Sequence, residues 1–525
     1  MSGSVIAELA EPLSEAVAAL GADGAPVRLE RPANPTHGDY ASAVAMSLAK
    51  PLRSAPREIA GRILEQLDSP WVEGAEIAGP GFINLRLTPS WYGHVVSRIL
   101  AEGGGYGAGA TPKPQRIQVE FVSGNPTGPV TVGAARNAAY GDSLSRLFAF
   151  AGNDVSREYY FNDAGRQVDL FGASLMARAR GEEVPEDGYH GEYVAEIAAG
   201  LGLPADAPVE EWTRAGTATM IAQIRVTLDR FRIEFDSWFL ERSLYEDGSV
   251  DRAIARLKAA GHTYELDGAL WFRATEFGDD KDRVIVRSNG EPGYFAGDLA
   301  YIISKLERGF DVAVYVLGAD HHGYVGRLKG GAVALGYEPD RVDVQIYQLV
   351  HLTDGRMSKR AGVVVTLDEL IDLIGVDAAR LALVQRSHDQ TIDLDLDLLV
   401  AQNAENPVYY SQYAHARIAG ILAKADGGPY APSASWQPEE FEMALVKQLA
   451  DFPDLVAEAA DRRGPHRIVA YVQDTARAFH RFYTECPVLR AEPELRETRL
   501  ALCAATKQVV ATALDLIGVE APDKM

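Results

Sequence analysis

One short polar loop carries residues that could stabilise phosphate charge. The loop runs Arg356-Met357-Ser358-Lys359-Arg360 and is flanked by glycines. Three cations within five residues suit a polyphosphate whose negative charge moves during a reaction. A basic loop taken alone is more often a solvated surface, but this one follows a β-strand pattern that ends an α/β unit. The loop is therefore a candidate catalytic element, with Lys359 as its main cation.

A second candidate lies in residues 120–142, where a β-strand pattern leads through a Gly/Pro-rich turn into an Ala-rich helix. In an open parallel sheet, ligands bind beyond the carboxyl ends of the strands. A helix that begins there presents free amide groups and a partial positive charge to phosphate. Gly124, Gly128 and Gly133 would let the backbone approach such a ligand. No lysine-serine or lysine-threonine pair follows the glycines, so this is not a P-loop, and a crossover turn without a ligand is the alternative.

Tyr294 and Asp298 are four residues apart, which places both on one face of a helix. Glu120, at the end of a candidate strand, adds a second carboxylate. A site with several acidic groups and a tyrosine suits a cation, and a guanidinium matches carboxylates with two parallel hydrogen bonds. The alternative is a helix-capping aspartate beside a core tyrosine, which is common for an isolated pair.

Another turn, from Gly318 to Tyr324, follows a buried-strand pattern and contains His321 and His322. Adjacent residues on a strand point to opposite faces, and no third ligand has suitable spacing. We therefore expect no structural zinc. Gly318, Asp320 and the two histidines are better interpreted as a turn that contacts a nucleotide.

After about residue 400 the strand pattern ends, and apolar residues recur at helical spacing. Aromatic and basic residues on these helices could stack on and charge-pair with unstacked RNA bases. The aromatic residues are more often part of a helical core, so the arginines are the better candidates. The candidate RNA contacts are Tyr413, Arg417, Arg462, Arg463 and Arg467.

The elements that must position these residues divide the chain into three parts. Residues 1–110 mix helical and strand patterns and predict a small α+β domain. Residues 111–400 alternate strands and helices, which predicts a Rossmann-like, doubly wound parallel sheet with an insertion at about residues 170–285. Residues 401–525 predict an α-helical bundle. A Gly/Pro-rich stretch at 101–115 is typical of a linker.

Length and composition indicate a soluble multidomain protein. Its 525 residues are 47% hydrophobic and 24% charged, with no apolar run near the roughly 20 residues of a membrane span. The formal net charge of −23 argues against non-specific coating of nucleic acid, although basic residues on one face would allow selective RNA binding. Two cysteines, and an acidic N-terminus without a secretory pattern, favour a reducing cytoplasm.

Motifs along almost the whole chain resemble those of the arginyl-tRNA synthetase family, within the class I aminoacyl-tRNA synthetases. The family's blocks are similar to PTHGDYASAVAMSLAK, VEFVSGNPTGP, YYFNDAGRQ, GYFAGDLAY, LGADHHGY, RMSKRAG and NPVYYSQYAHARI. The resemblance implies an enzyme that ligates L-arginine to tRNA(Arg) with ATP and Mg²⁺, through arginyl-adenylate. It also implies an N-terminal domain that contacts tRNA and a helical anticodon-binding domain. We expect a monomer.

The resemblance implies a role for each candidate residue. Arginine would bind to Glu120, Asn125, Tyr294, Asp298 and Gln348. ATP would bind to Gly133, Gly318, Asp320, His321, His322, Met357 and Lys359. Catalysis at the triphosphate would use Thr131, Gly133, Arg356, Ser358, Lys359 and Arg360.

The chain departs from the family's His-x-Gly-His motif, where residues 131–134 are Thr-Val-Gly-Ala. Imidazoles there would donate hydrogen bonds to the triphosphate, and loss of one preorganised donor costs roughly 10²–10³ in rate. The Thr131 hydroxyl can still donate, whereas Ala134 cannot. Compensation could come from the helix N-terminus and from Arg136 and Asn137 on its first turn.

Three alternatives remain open from the sequence. The first is a synthetase-like RNA-binding or regulatory protein that has lost amino-acid activation. The second is an enzyme that transfers the activated amino acid to another acceptor. The third is an unrelated nucleotide-binding oxidoreductase, which lacks support because no G-x-G-x-x-G opens the α/β part.

Overall fold

The N-terminal part of the chain folds as a small α+β domain. The computed structural model describes residues 3–353, 365–425 and 428–525. The first elements are α1 (Val5–Ala19), β1 (Tyr40–Ser42), α2 (Val44–Ser47), α3 (Ala49–Leu52), α4 (Pro56–Gln66), β2 (Val72–Ala78), β3 (Phe82–Leu87) and α5 (Pro89–Glu102). The three strands form an antiparallel sheet in the order β1-β3-β2. Leu13, Ile59 and Ile83 join α1 and α4 to the sheet in a core of their own.

The middle of the chain folds as an α/β domain. Its elements are β4 (Arg116–Glu120), α6 (Val132–Phe150), β5 (Asp154–Phe161), α7 (Arg166–Arg180), α8 (Glu192–Leu201), α9 (Val209–Arg230), β6 (Ser237–Leu240), α10 (Arg242–Glu246), α11 (Ser249–Ala259), β7 (Thr263–Leu266), β8 (Ala269–Phe272), β9 (Arg283–Val286), α12 (Tyr294–Glu307), β10 (Val312–Gly318), α13 (Tyr324–Ala334), β11 (Val342–Tyr347), β12 (Val350–Leu352), α14 (Leu367–Ile374), α15 (Val376–Val384), β13 (Ile392–Leu394) and α16 (Leu396–Val400).

Five of these strands form a parallel sheet in the order β11-β10-β4-β5-β6. In the register of the sheet, Val119 of β4 lies between Val314 of β10 and Arg157 of β5. The strand order reverses between β4 and β10, because β5 and β6 add to one side and β10 and β11 to the other. Such a switch point leaves a crevice at the carboxyl ends of both strands, where ligands bind. The predicted Rossmann-like, doubly wound sheet is confirmed.

The range predicted as an insertion, about 170–285, is not one separate block. Helices α7, α8 and α9 precede β6, and β6 pairs with β5 as the edge strand of the central sheet. The antiparallel sheet β7-β8-β9 then follows and packs with α11 and α12. The range therefore contains two segments outside the central sheet, one before β6 and one after it, and β6 itself belongs to that sheet.

Helix α6 is buried over most of its length, unlike an amphipathic surface helix. Ala135, Ala138 and Ala139 are fully buried, and such small side chains let neighbouring elements approach closely. Asp142 further along α6 pairs with Arg380 of α15, and neither side chain is exposed. The helix that begins at the predicted phosphate-binding turn is thus held inside the domain over most of its length.

The C-terminal part is the predicted helical bundle, with α17 (Pro407–Ala423), α18 (Glu440–Ala450), α19 (Phe452–Asp461), α20 (His466–Glu485) and α21 (Pro493–Asp515). The bundle also contacts the N-terminal domain, since Lys447 Nζ lies 2.9 Å from Asp39 Oδ1. The Tyr106 hydroxyl, just after α5, donates to the Leu449 carbonyl (3.3 Å). No helix in the described ranges is long and apolar enough to cross a bilayer.

The buried pair gives a prediction about stability. Arg380→Ala should lower the free energy of unfolding by about 3–5 kcal/mol, because it removes the fully buried partner of the Asp142 carboxylate, which among the described residues then keeps only the half-buried Arg146 (2.8 Å) at close range. Urea denaturation followed by circular dichroism measures the loss. Arg166→Ala is the matched control, since Arg166 pairs with Asp187 at the surface (72% and 67% exposed) and should cost under about 1 kcal/mol. Equal losses in both variants would contradict the assignment.

Candidate active site

The carboxyl end of β4 turns sharply through Val122 and Ser123, whose φ angles are +66° and +35°. A β-branched residue rarely adopts such a conformation, and strain of this kind clusters at functional sites. Asn137 of α6 holds the turn, because its side chain accepts from the Val122 amide (3.0 Å) and donates to the Val316 carbonyl (3.0 Å). Asn137 is therefore already bound to the Val122 and Val316 backbone and to the Tyr347 hydroxyl, and the expectation that it compensates for a missing imidazole is wrong.

Helix α6 begins at the predicted phosphate-binding turn. Thr131 is its N-cap residue, and the Thr131 hydroxyl accepts a hydrogen bond from the Ala134 amide (3.3 Å). Gly133 is exposed in the first turn. Arg136 is turned inward, 1% exposed, and donates to the Gln348 carbonyl (2.6 Å). Burial lowers the pKa of Arg136 to about 10. The compensation expected from Arg136 is therefore also wrong, because its donors already bind carbonyl groups.

The basic loop Arg356–Arg360 lies outside the described residues, but the residues on either side of it are placed. Before the loop, the Thr353 amide donates to the Leu394 carbonyl (3.1 Å). After it, the Val365 carbonyl accepts from the Val132 amide (3.0 Å). Thr353 thus lies at the end of β12, and Val365 lies at the N-terminus of α6.

Two carboxyl groups, those of Glu241 and Asp298, lie half-buried near the end of β6 and the start of α12. Burial and the Asp163 carboxylate raise the pKa of Glu241 to about 7. Burial and the Glu241 carboxylate raise the pKa of Asp298 to about 7, although Arg327 acts in the opposite direction. The described residues thus leave this pocket short of positive charge, and a cation with several donors would relieve it.

Gly297 leaves room for these groups. A Cβ at Gly297 would lie 3.0 Å from the Tyr245 hydroxyl and 3.5 Å from Glu241 Oε1. Tyr294, one turn before Asp298 on α12, is 82% exposed, and the Arg287 guanidinium carbon lies 5.0 Å from its ring centre. The spacing of Tyr294 and Asp298 is therefore helical as predicted, with Tyr294 at the outer rim and Asp298 inside.

Glu120 ends β4 but already has a partner. Its carboxylate pairs with Lys305 Nζ, and the two side chains are 7% and 0% exposed. The Lys305 ammonium also lies over the rings of Tyr301 (4.2 Å) and Tyr315 (3.4 Å). Glu120 is therefore part of a buried network below the pocket.

The turn after β10 is a 3₁₀-helix, Ala319–His321, and not a continuation of the strand. The argument that the two histidines face opposite sides of a strand is therefore wrong, because neither lies on the strand. Asp320, His321 and His322 are exposed, and His321 Nε2 lies 3.4 Å from the Asp320 carboxylate. Within the described ranges, no group of three or more His, Cys, Asp or Glu side chains could hold a metal.

Gly318 ends β10 at a crowded point. A Cβ there would lie 2.5 Å from Asp320 Oδ1 and 3.4 Å from the Tyr347 hydroxyl. Tyr347 ends β11 and is half-buried, and burial raises its pKa while the Asn137 side chain acts in the opposite direction. The Tyr347 hydroxyl therefore lies at the carboxyl ends of the parallel strands, which is also where helix α6 begins.

Asn125 and Gln348 lie on opposite sides of the crevice. Asn125 Nδ2 donates to the Asn162 carbonyl (3.1 Å). The side-chain amide of Asn162, in the orientation that satisfies its neighbours, donates to Glu241 Oε2 (2.5 Å). Asn162 therefore connects Asn125 to the acidic pocket. The Gln348 amide donates to the His388 carbonyl (2.8 Å), which fixes Gln348 just after β11.

Two candidate RNA contacts, Tyr413 and Arg417, lie one turn apart on α17. Tyr413 is 37% exposed, and the Arg417 guanidinium carbon lies 5.6 Å from its ring centre and 4.3 Å from that of Tyr483. They form an aromatic and cationic surface on the bundle.

The other three lie at the corner between α19 and α20. Arg462 is 61% exposed and pairs with Glu458 (3.0 Å), and Arg467 lies 3.4 Å from the same carboxylate. Arg463 points toward the catalytic domain instead and pairs with Asp343 of β11 (2.8 Å). The corner thus has the exposed Arg462 and the half-buried Arg467 on either side of Arg463, which faces inward.

Sequence reasoning missed Glu241, Tyr245 and Tyr347. Glu241 and Tyr245 are four residues apart, the same acidic and aromatic spacing that singles out Tyr294 and Asp298, so a usable signal exists. The four-residue strand β6, however, lies within the range predicted as an insertion, and nothing local indicates that Glu241 follows a strand of the central sheet. Tyr347 reaches the site only through the pairing of β11 with β10.

Known families match the three parts of the chain. An arginyl-tRNA synthetase N-terminal domain matches residues 6–87, the catalytic domain of class I tRNA synthetases (R) matches 95–187 and 205–422, and a DALR anticodon-binding domain matches 411–525. A protein from Campylobacter jejuni described as an arginyl-tRNA synthetase is similar over 84% of this chain and 100% of its own, at 30% identity with a TM-score of 0.78. The arginyl-tRNA synthetase of Thermus thermophilus covers 99% of this chain and 100% of its own, at 25% identity and a TM-score of 0.79. That of Plasmodium falciparum, at 15% identity, shares the fold, with a TM-score of 0.77 over 100% of this chain and 99% of its own.

The parallel sheet, the crevice at its switch point and the match to the catalytic domain define a class I aminoacyl-tRNA synthetase. The activity of this class is the ATP-dependent joining of an amino acid to tRNA. The chain belongs to the arginyl-tRNA synthetase family, since family domains match almost its whole length. It is an arginine-tRNA ligase, and amino acid, ATP and tRNA are its partners.

Proposed function

We propose that the chain ligates L-arginine to tRNA(Arg) in two steps at this site. The arginine carboxylate attacks the α-phosphate of ATP, which gives arginyl-adenylate and pyrophosphate. The 2′-hydroxyl of the terminal tRNA ribose then attacks the adenylate, and AMP leaves. Side chains have little covalent work here, so their role is positioning and charge stabilisation. The observation that carries the proposal is the half-buried pair of Glu241 and Asp298, which the fold brings together where Glu241 Oε1 lies 3.5 Å from the Cβ position of Gly297, next to Asp298.

The guanidinium of the substrate would bind in that acidic pocket. Its pKa is far above neutrality, so it stays charged, and its fork of donors suits two carboxylates. Glu241 and Asp298 would accept from it, Tyr245 would bound the pocket, and the exposed Tyr294 would close over the rim. The missing positive charge of the pocket then comes from the substrate itself, which supports selectivity for arginine over neutral amino acids.

The other end of arginine would lie toward the crevice. Asn125 binds Asn162, which in turn binds Glu241 of the acidic pocket, and Gln348 lies across the crevice. Asn125 and Gln348 are therefore proposed to bind the α-amino and carboxylate groups of the arginine substrate. Glu120 is proposed to act from below. Its pairing with Lys305 is buried, so it supports the floor of the pocket and does not bind the substrate directly.

ATP would lie at the carboxyl ends of β4 and β10. The exposed Gly133 in the first turn of α6 would offer its amide and the helix N-terminus to phosphate, and the turn from Gly318 to His322 would receive the adenosine. Mg²⁺ would neutralise phosphate charge, and it usually arrives on substrate phosphates with its own waters rather than in an all-protein site. The loop from Arg356 to Arg360 would close over the triphosphate, since Val365 beyond it accepts from the Val132 amide at the start of α6.

Tyr347 is proposed to supply a donor in place of the missing imidazoles. Arg136 binds backbone carbonyl groups, and Asn137 binds backbone groups and the Tyr347 hydroxyl, so neither side chain is proposed to bind phosphate. The Tyr347 hydroxyl lies at the adjacent strand end, next to Gly318, and donates without a net charge. Thr131 would add a second hydroxyl, since its oxygen accepts from Ala134 while its proton can still be donated.

The tRNA would run along the bundle. Tyr413 and Arg417 on α17, and Arg462 and Arg467 at the corner of α19 and α20, present rings and cations to solvent. Such surfaces bind unstacked bases and phosphates. We further propose a monomer, in which one chain supplies every residue of the site, and a cytoplasmic location, because the proposed substrates are those of protein synthesis.

Arginine-dependent exchange between ATP and labelled pyrophosphate, measured with and without tRNA, tests the proposal. Exchange under at least one of the two conditions is expected. Tight tRNA binding with no exchange under either condition would instead support the RNA-binding alternative. Exchange without transfer of arginine to tRNA would support transfer to another acceptor.

The acidic pocket gives a pH prediction. Glu241 and Asp298 have pKa values of about 7, and only their ionised forms attract the guanidinium, so KM for arginine should fall as pH rises through 7. For one such group the expected change is about tenfold between pH 6 and pH 8. Glu241→Gln should raise KM and flatten the profile, whereas Glu246→Gln, at an exposed position on α10, should change neither. A wild-type KM that does not vary with pH would refute the role of the pair.

Lys359 gives a prediction about catalysis. Lys359→Ala should lower kcat for exchange by roughly 10²–10³, because a preorganised cation no longer stabilises charge on the leaving pyrophosphate. The Kd for tRNA should stay the same. Lys359→Arg, which keeps the charge, should recover part of the rate. Unchanged turnover in the alanine variant would rule out this role.

Tyr347 gives a prediction about the nucleotide site. Tyr347→Phe should lower kcat/KM for ATP by about tenfold to a hundredfold, the range for one hydrogen bond to a charged group. Tyr337→Phe, just beyond α13, removes a hydroxyl outside the site and is the matched control. Equal kinetics in the two variants would show that another group replaces the imidazoles.

A further inference from the structure

Arg463 occupies the corner between α19 and α20 in an unusual conformation. Its φ angle is +52°, in the left-handed region that non-glycine residues seldom adopt. Its Nη1 donates to the Asp461 carbonyl (2.7 Å), which ties the side chain to the corner itself. Conformations of this kind persist only where surrounding contacts impose them.

Those contacts come from the catalytic domain. The Tyr140 hydroxyl donates to the Arg463 carbonyl (2.9 Å), and the guanidinium carbon lies 5.3 Å from the ring centre of Phe148. Both aromatic residues belong to α6. Arg463 Nε also lies 2.8 Å from Asp343 Oδ2 on β11, with the two side chains 26% and 19% exposed. One residue of the bundle therefore contacts two separate elements of the catalytic domain.

Each of these elements leads directly to the reaction site. Helix α6 begins directly after its N-cap residue Thr131, with Gly133 exposed in the first turn. Strand β11 ends at Tyr347, after which Gln348 accepts from Arg136 of α6 (2.6 Å). The relative placement of the α6 N-terminus and the β11 end decides where the triphosphate donors lie. Displacing a catalytic group by about 1 Å can cost 10²-fold in rate.

We propose that Arg463 is a positioning residue that fixes α6 and β11 relative to each other from the anticodon-binding bundle. It acts through Tyr140 and Asp343 and does not bind RNA. The inference rests on the proposed function, since it specifies how the bundle sets the geometry of that site. Arg462, its neighbour, faces outward and serves the surface that the tRNA would cover.

The test compares Arg463→Ala, Asp343→Asn and the double variant with Arg462→Ala. Arg463→Ala should lower kcat of aminoacylation about tenfold or more, with the Kd for tRNA within about twofold of wild type. Asp343→Asn, on the partner side, should show the same kind of loss. The double variant should lose little more than Arg463→Ala, because both substitutions remove one shared interaction. Arg462→Ala should instead raise the Kd for tRNA.

A loss of tRNA affinity in Arg463→Ala with kcat unchanged, as for an RNA contact, would overturn the proposal, and so would additive losses in the double variant. If Arg463→Ala fails to fold, Tyr140→Phe removes only the hydroxyl that binds the Arg463 carbonyl. It should lower kcat several-fold at unchanged tRNA Kd, and wild-type kcat would overturn the proposal. Failure of the proposed function is distinguishable, because wild-type protein would then show no exchange.

Discussion

The arrangement of the rest of the site depends on the acidic pocket at the start of α12. Glu241 and Asp298 share a half-buried space, and each is pushed to a pKa of about 7 by burial and by neighbouring carboxylates. Paired with a guanidinium, both can ionise at neutral pH, since an opposite charge favours the charged form. Gly297 allows Tyr245 and Glu241 to approach α12, and the buried Lys305 neutralises Glu120 below. The pocket is thus built to accept one positive charge from outside.

The part of the site that would bind the triphosphate is organised differently. The histidines of the family motif are replaced by Thr131 and Ala134, and the arginine and asparagine that follow support the strained turn and the end of β11. In the proposed site, the N-terminus of α6, two hydroxyl groups and the basic loop would bind the phosphates. Because these donors come from three separate segments, the rate depends on how accurately the segments are held together. Arg463 matters for this reason, because it lies at the corner of the bundle and contacts α6 and β11.

Much of this arrangement is predictable from the sequence, and the exceptions have physical reasons. The parallel sheet, the helical bundle and the four-residue spacing of Tyr294 and Asp298 follow from local periodicity. Glu241 does not, because a four-residue strand inside a long helical stretch gives too weak a pattern to assign to the central sheet. The directions in which the Arg463 and Asn137 side chains point cannot be predicted from the sequence either. Composition marks one as a cation and the other as a donor, but only tertiary packing decides that both bind the protein itself.

Isothermal titration of the chain with arginine at pH 7, in two buffers of different ionisation enthalpy and with tRNA absent and then present, tests the central claim most directly. If the guanidinium binds between the two carboxyl groups, their pKa values fall on binding, and about one proton per arginine is released near pH 7. The observed enthalpy should then differ between the buffers in proportion to their ionisation enthalpies. Arginine binding with the same enthalpy in both buffers would contradict the account.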